Sequence, residues 1–318
     1  MRVDSLPTAQ IDRLLRSGFI GAVAGAACFG LGVLTFEMYG AILFLVTPTV
    51  MGFVAGLAVN WRIPHRFVSV VLAAMTSVAL VGAGLLVFAF EGVMCLLMAL
   101  PPAMAGSLTG ALFSLLITRR GHWRQRTLVL VALLMPCLLG AEAALVRYPI
   151  LPVVSEIEID ASPETVWRHV IGFSEMPAPT ETMFRSGIAY PVRARLEGTG
   201  VGAIRYCEFS TGPFVEPITV WEPGHRLAFD VIEQPEPMHE LSPYKEIYAP
   251  HLHHGLNSRR GEFLLIALPD GTTRLRGTTW YQVNMGPQWY WRRWSDHVIH
   301  GIHRRVLEHI KTLSETAG

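Results

Sequence analysis

Charge is what this sequence has least of. Only 16% of its 318 residues are Asp, Glu, Lys or Arg, against about 25% in a typical soluble protein. The shortage is concentrated: from Ser17 to Thr118 the only formal charges are Glu37, Arg62, Arg66 and Glu91. No water-facing globular surface can be built from that stretch. The net charge of +1 leaves no general attraction to nucleic acid. Lysine is nearly missing, with Lys245 and Lys311 the only two. Cysteine is sparse as well. Cys28, Cys95 and Cys137 fall in apolar segments and Cys207 stands alone in the polar half, which excludes a disulfide framework and any CxxC metal spacing. The stretch "GTGVG" places glycines at 198, 200 and 202 but precedes a strand and lacks the GxGxxG order. It predicts a hairpin turn, not a dinucleotide loop, and nothing in the chain calls for a cofactor.

What is there, first, is a series of long apolar runs. The four isolated charges fall where runs end, giving segments near 18–38, 41–60, 67–90 and 92–118, with a fifth at 127–146. Each has the roughly 20 residues needed to cross a hydrocarbon core of about 30 Å. The chain divides into a tail, 1–16, an all-α helical membrane domain of about five transmembrane helices, 17–147, and a polar domain, 148–318. A cleaved signal peptide does not fit one apolar segment followed by another.

The arginines set the sidedness. Arg2, Arg13 and Arg16 lie in the tail, Arg62 and Arg66 in the second connection, and Arg119, Arg120, Arg124 and Arg126 in the fourth. The first and third connections carry only Glu37 and Glu91. This alternation puts the N-terminus in the cytoplasm. Five crossings then place the polar domain outside, in the periplasm if the membrane is a bacterial inner membrane. The fifth segment contains Pro136 and Glu142; were it to lie flat or re-enter, the polar domain would be cytoplasmic.

Small residues recur at four-residue spacing in "GAVAG" (Gly21, Gly25), "GFVAG" (Gly52, Gly56) and "GSLTG" (Gly106, Gly110). Such faces let helices approach closely in lipid. They serve either packing within one bundle, the more common use, or a homodimer. No span holds a charge at mid-depth, which argues against an ion-coupled transporter.

The polar half restarts with water-soluble grammar. "ASPETVW", 161–167, offers Ser162 as an N-cap, Pro163 at the first helical position and Glu164 at the positive end of the helix dipole. Strand-like runs follow: "PVRARLEG", "AIRYCEFS", "EPITVWE", "HRLAFDVIE", "EFLLIAL" and "TTRLRGTTWYQV", separated by turn signals. A long amphipathic helix from about Pro287 to Glu315 closes the chain, with Trp291, Trp294, Val298, Ile302, Val306, Ile310 and Leu313 in its apolar stripe. The class is α+β.

The order of elements, with "IEIDASPETVWRHVIGF", "ITVWEPGHRLAFDV" and "GTTRLRGTTWY", resembles the SRPBCC superfamily, which includes START lipid-transfer and polyketide cyclase/dehydrase-like proteins. The resemblance covers roughly 152–316 and none of the membrane half. It implies a helix-grip fold, a curved antiparallel sheet around the last helix with an apolar cavity between them. Strand alternation then selects the inward residues. With Arg274 and Arg276 outward, Leu275, Thr279 and Tyr281 face in; with Asp230 outward, Leu227, Phe229 and Val231 do; with Glu262 outward, Phe263 and Leu265 do. Trp291, Trp294 and Val298 cover them from the helix.

The preferred function is a membrane-tethered START-like domain that binds a lipophilic molecule (a lipid, an isoprenoid or a polyketide-like compound), with the bilayer as its other partner. A cyclase/dehydratase-type enzyme is the first alternative, with Tyr281, His300, Glu208 and Arg205 as candidate catalytic residues. An assembly protein with a filled cavity is the second. Binding is preferred to catalysis because no convergent acid–base set is legible. His251, His253 and His254 crowd a Pro-rich insertion, 233–258, but "HLHHG" is no known metal spacing, and a lid or partner contact suits the insertion better. Asp296 and His300 stand at i, i+4, where a pair is within reach. "WYWRRW", 289–294, suits a lipid headgroup layer or a helix start buried on the sheet. A reporter active only outside the cytoplasm, fused after Gly318, is expected to be active; activity of a cytoplasm-only reporter at that position refutes five crossings.

Overall fold

Long apolar helices and a capped β-rich restart produce two compact units. The computed structural model describes residues 8–60, 67–118, 124–244 and 247–316. The first unit comprises residues 1–147 together with Glu240–Pro250 and Met285–Pro287, and the second comprises Tyr148–His239, His251–Asn284 and residues 288–318.

In the helical unit, α1 (Thr8–Phe29) runs on through a π-helical turn, Gly30–Thr35. A second π-helical turn, Ile42–Val46, leads into α2 (Thr47–Val59), followed by α3 (Phe67–Val87), α4 (Val93–Thr118) and α5 (Arg124–Leu145). Among the described residues four helices are long and apolar enough to cross a membrane: Thr8–Thr35, Ile42–Val59, Phe67–Val87 and Val93–Ile117. In α5 the apolar helix found among those residues is the shorter Leu134–Leu145. The first helix begins ten residues before the expected segment. Its polar start is supported by an Arg16–Asp12 ion pair at i, i+4, 2.9 Å. The first and third helices end early at tight turns, where Glu37 and Ala89 take φ of 50° and 58°. Arg2, Arg62, Arg66, Arg119 and Arg120, which carry much of the sidedness argument, lie outside the described residues, as does Lys245.

Large apolar side chains cover the outside of these helices, among them Phe19, Val68, Leu97, Phe113 and Leu116. An exposed apolar surface of this extent is what a hydrocarbon solvent permits and water does not. All six glycines of the small-residue faces meet other helices of the same unit. At Gly52 a Cβ would run into the backbone of Ser107, and at Gly110 into the backbone of Thr49. Several hydroxyls bond to helix carbonyls inside the bundle: Ser107 Oγ donates to the carbonyl of Ala74 at 3.1 Å and Ser77 Oγ to the same carbonyl at 2.7 Å.

The connections are tied together. Tyr39 of the first connection donates its hydroxyl to Glu91 of the third at 3.0 Å, and burial pushes the Glu91 carboxyl up to about 8. Glu142, near the end of α5, accepts from the amides of Ala41 (2.6 Å) and Ile42 (3.0 Å). Glu240 accepts from the amides of Met94 (3.1 Å) and Cys95 (3.0 Å) at the start of α4, where the helix dipole favours an anion. Part of the predicted Pro-rich insertion therefore belongs to this unit.

The second unit is one seven-stranded antiparallel sheet in the order β1-β7-β6-β5-β4-β3-β2. The strands are β1 (Ile150–Ile159), β2 (Pro191–Glu197), β3 (Ile204–Phe209), β4 (Gly212–Glu222), β5 (Arg226–Asp230), β6 (Leu256–Ala267) and β7 (Thr273–Val283). After β1 comes α6 (Pro163–Ile171), whose cap Ser162 accepts from the amide of Thr165. Short helices α7 (Thr182–Arg185) and α8 (His251–His254) interrupt the strands, and α9 (Gln288–Thr316) lies across the sheet. This is a helix-grip arrangement. "GTGVG" is the β2–β3 turn, with Gly198, Gly200 and Gly202 all at positive φ. Strand β6 starts six residues before the predicted run, because Gln234 bonds the carbonyl of Leu256 (2.6 Å) and the amide of Ser258 (2.8 Å) like a strand edge. The core joins α6, α9 and the concave face. Trp167 stacks edge-on against Trp221 at 5.3 Å, and Leu227, Leu265, Leu275, Val306, Leu307 and Ile310 are fully enclosed.

Because a methyl group at position 110 meets backbone and not a movable side chain, Gly110→Ala is expected to destabilise the helical unit by about 1–3 kcal/mol. Gly84→Ala, at a site with nothing within 4 Å, is expected to stay within about 1 kcal/mol of the parent. Thermal unfolding in detergent checks both.

Candidate functional site

Along α9 the contact with the sheet is uneven. Ile310 is packed in the core, but beneath Val298, Ile299, Ile302, His303, Val306 and Leu307 a pocket of about 130 Å³ remains. Its other walls come from β3 (Arg205, Cys207, Phe209), β4 (Phe214, Glu216), β5 (Phe229) and β6 to β7 (Gly261, Phe263, Thr279). Gly261 is needed there, since a Cβ would strike the Phe229 ring.

The lining is mostly apolar; among its polar groups, which include the Arg260–Glu262 pair and Gln234, two features stand out. The first is an ion pair between Arg205 and Glu216, which are 2% and 6% exposed. The two are opposite one another across the β3–β4 hairpin. Arg205 lies 5.1 Å from the Phe229 ring, 5.7 Å from Phe263 and 5.8 Å from Phe173, a cation held among aromatic faces. Burial works most strongly against its charge, but Glu216 and Cys207 together outweigh this and hold the guanidinium above its ordinary range. Its Nε is buried and has no hydrogen-bond partner. Burial also pushes the neighbouring Cys207 thiol up to about 12, against the opposing pull of Arg205, so it stays protonated and inert.

The second feature is His303. Its Nε2 is 2.7 Å from Thr279 Oγ1 and its Nδ1 is 3.1 Å from Ser155 Oγ. Ser155 Oγ is in turn 2.8 Å from Nδ1 of the exposed His300. Burial, with His300 nearby, pushes the His303 imidazole down to about 4, so it is neutral at pH 7.

With that geometry in hand, comparison with known proteins is informative. Residues 152–315 match the model of a family described as "Polyketide cyclase / dehydrase and lipid transport". The chain belongs to this family. Among solved structures, norcoclaurine synthase from Thalictrum flavum is similar at 14% identity, covering 54% of this chain and 98% of that one, with a TM-score of 0.34. The XoxI protein from Bacillus cereus is similar at 14% identity, covering 51% and 93%, with a TM-score of 0.33. Protein CV1439 from Chromobacterium violaceum is similar at 15% identity, covering 52% and 96%, with a TM-score of 0.31. No curated protein matches the chain.

Within this polyketide cyclase/lipid-transport domain, the residues singled out from sequence separate into groups. Arg205, Phe229, Val231, Phe263, Thr279 and Val298 line the pocket. Leu227, Leu265 and Leu275 lie beyond it in the packed core. Tyr281 is fully buried and donates to Asp296 Oδ1 at 2.6 Å; burial, then Asp296, raises its pKa. Trp291 is buried and Trp294 is partly exposed, and neither lines the pocket. Glu208 faces the opposite side of β3 from Arg205, where Arg193 (2.7 Å) and Arg195 (3.2 Å) hold its carboxyl below its ordinary range. The parity of a strand forbids Arg205 and Glu208 from meeting one ligand. Asp296 is taken by Tyr281 and Arg292 and His300 by Ser155, so the i, i+4 pairing of Asp296 with His300 is not among their hydrogen bonds. His251 is buried and burial pushes it down to about 4, His253 sits 3.7 Å from Glu236, and His254 is exposed.

Sequence reasoning missed Glu216, Cys207, Phe209 and His303. The first three were recoverable, since a hairpin turn at Ser210–Thr211 puts Arg205 opposite Glu216 and Cys207 opposite Phe214. His303 was seen only as one of a run of helix histidines, and nothing local marks which of them turns inward. Glu216→Gln is expected to cost about 3–5 kcal/mol in denaturant unfolding by leaving a buried guanidinium unpaired, while Arg205→Met with Glu216→Leu recovers most of that loss.

Proposed function

We propose that this chain is an integral membrane protein whose helical unit anchors a domain that binds a lipophilic molecule beneath α9, on the outer side of a bacterial inner membrane. The observation that carries the reading is the apolar pocket with one buried cation in its wall. Burial of apolar surface supplies affinity at about 25 cal/mol per Å², and the unpartnered Arg205 Nε selects a ligand with an oxygen acceptor. The size is a guide to class: an apolar cavity of roughly 150 Å³ binds benzene, so about 130 Å³ takes a single ring or a short isoprenoid. A longer acyl chain requires α9 to shift. Family membership supports the same class of ligand.

Five crossings are supported by bonds within the helical unit. Tyr39 and Glu91 join the first connection to the third, as alternation across a membrane requires. Glu142 brings the end of α5 level with the first connection, whereas α4 ends at the other face. On this count α5 crosses, and the arginine bias makes the face it reaches the outer one. The small-residue faces serve packing inside the unit in this reading.

A second reading, a cyclase/dehydratase-type enzyme, is favoured by one observation, the neutral His303 in the pocket wall. Mass spectrometry of an organic extract from gently purified full-length protein tests the first. One lipophilic compound in near-stoichiometric amount is expected, lost in Val298→Trp, which fills the pocket. A replicated empty extract from the parent protein sinks it.

A further inference from the structure

Two stretches from the β-rich half of the sequence belong to the helical unit: Glu240–Pro250, between β5 and β6, and Met285–Pro287, between β7 and α9. The first is fastened along the connection between α3 and α4. Glu240 caps α4. The carbonyl of Leu241 accepts from the amide of Val93 at 3.0 Å, the Tyr244 hydroxyl donates to the carbonyl of Val87 at 2.5 Å, and the amide of Tyr248 donates to the carbonyl of Ala89 at 2.6 Å. A segment held so firmly still turns its large side chains outward. Tyr248 is 53% exposed, Leu241 and Tyr244 are exposed as well, and Phe88 of the same connection is 74% exposed. This cluster stands where the apolar run of α3 stops. An irregular backbone cannot enter hydrocarbon, where its amides would lack partners. Rings with a polar tip suit the boundary above it.

The second stretch leads to a similar patch. The amide of Gly286 donates to the carbonyl of Tyr39, in the first connection, at 2.8 Å, and α9 begins two residues later. The start of α9 divides "WYWRRW" by face: Trp291 is buried, whereas Trp289 is 64% exposed and Trp294 partly so. Arg293 is exposed and unpaired among the described residues, and at i, i+4 it shares a face with Trp289. Three residues of chain from Gly286 let Trp289 reach no more than about 10 Å from that bonded amide.

We infer that these are two bilayer-contacting patches in the headgroup layer, one made by Phe88, Leu241, Tyr244 and Tyr248 and the other by Trp289 and Arg293. The occupant is phospholipid, with the rings and the leucine among the upper acyl carbons and Arg293 on lipid phosphate. Lipid is chosen over a partner protein because exposed Val87 and Phe88 carry the apolar outer surface of α3 straight into the first patch. Charge complementarity with an anionic surface supports the second. The inference rests on the membrane reading above and extends it: the β-rich domain is attached at the bilayer surface by these segments as well as by its tether from α5.

The test uses the full-length protein in vesicles of phosphatidylethanolamine and phosphatidylglycerol, with a trace of phosphatidylglycerol carrying a diazirine beside its glycerol ester as probe. After illumination, adducts are located by tandem mass spectrometry. They are expected on residues 241–248 and 289–294 as well as on the apolar helices, and not on 267–273, the β6–β7 turn at the other end of β7 from α9. Arg293→Gln, a surface change, should lower labelling of 289–294 several-fold and leave 241–248 unchanged. Replacing the bulk lipid by phosphatidylcholine should do the same. Adducts on the apolar helices with none on either patch, or labelling of 267–273 as strong as that of the patches, overturn the inference and leave the membrane reading intact. Labelling of one patch alone overturns the assignment of the other. Unchanged labelling in Arg293→Gln overturns its place on lipid phosphate. Absence of adducts from the apolar helices as well removes the membrane reading itself.

Discussion

One helix cannot fill the concave face of a seven-stranded sheet, and most of what is distinctive in the β-rich unit follows from that mismatch. Toward its C-terminal end α9 buries Ile310, with Val306 and Leu307, in one core with Leu227, Leu265 and Leu275. Val306 and Leu307 also border the pocket, which extends back along α9 to Val298. Gly261 keeps part of that space open, because a Cβ there would meet the Phe229 ring.

A void of that kind in an apolar core is costly unless something uses it. The same region also holds a desolvated ion pair, which by itself adds little stability compared with hydrophobic residues of equal volume. A core optimised for stability would contain neither. Their coincidence, with Arg205 between three phenyl rings and its Nε left without a partner, is the feature on which the proposed ligand reading rests. The pair also fixes register, because Arg205 and Glu216 face one another only in the observed alignment of β3 and β4.

How much of this was legible in the sequence depends on the range of the interaction. The restart at Ser162, the turn at Gly198–Gly202 and the outward arginines of β7 are set within a few residues, and each appears where local chemistry puts it. The inward face of each strand was readable from parity alone. Which inward residues pack and which line a pocket was not, because that depends on α9, far away in sequence; Leu275 and Thr279 have the same parity and different neighbours. Parity within one strand puts Glu208 on the face of β3 opposite Arg205, away from the pocket. The inward turn of His303, unlike its neighbours on α9, is fixed by Thr279 and Ser155 from two other elements.

The helical half poses the opposite problem. Its sequence is so uniformly apolar that helix lengths are readable and partners are not. The few polar residues then carry the information. Glu91 and Glu142, which stand at the ends of the apolar runs, and Glu240 of the Pro-rich insertion each bind the connection or helix start they lie against. In an apolar surrounding an unsatisfied amide at a helix start costs several kcal/mol. A carboxylate that satisfies two of them at once pins one loop to another more firmly than apolar packing can. Glu142 does this for the first connection and Glu240 for the start of α4. Two acidic residues at the ends of apolar helices otherwise cleared of charge, and a third from the Pro-rich insertion, thus tie connections and helix starts together, while the glycine faces set how closely the helices approach.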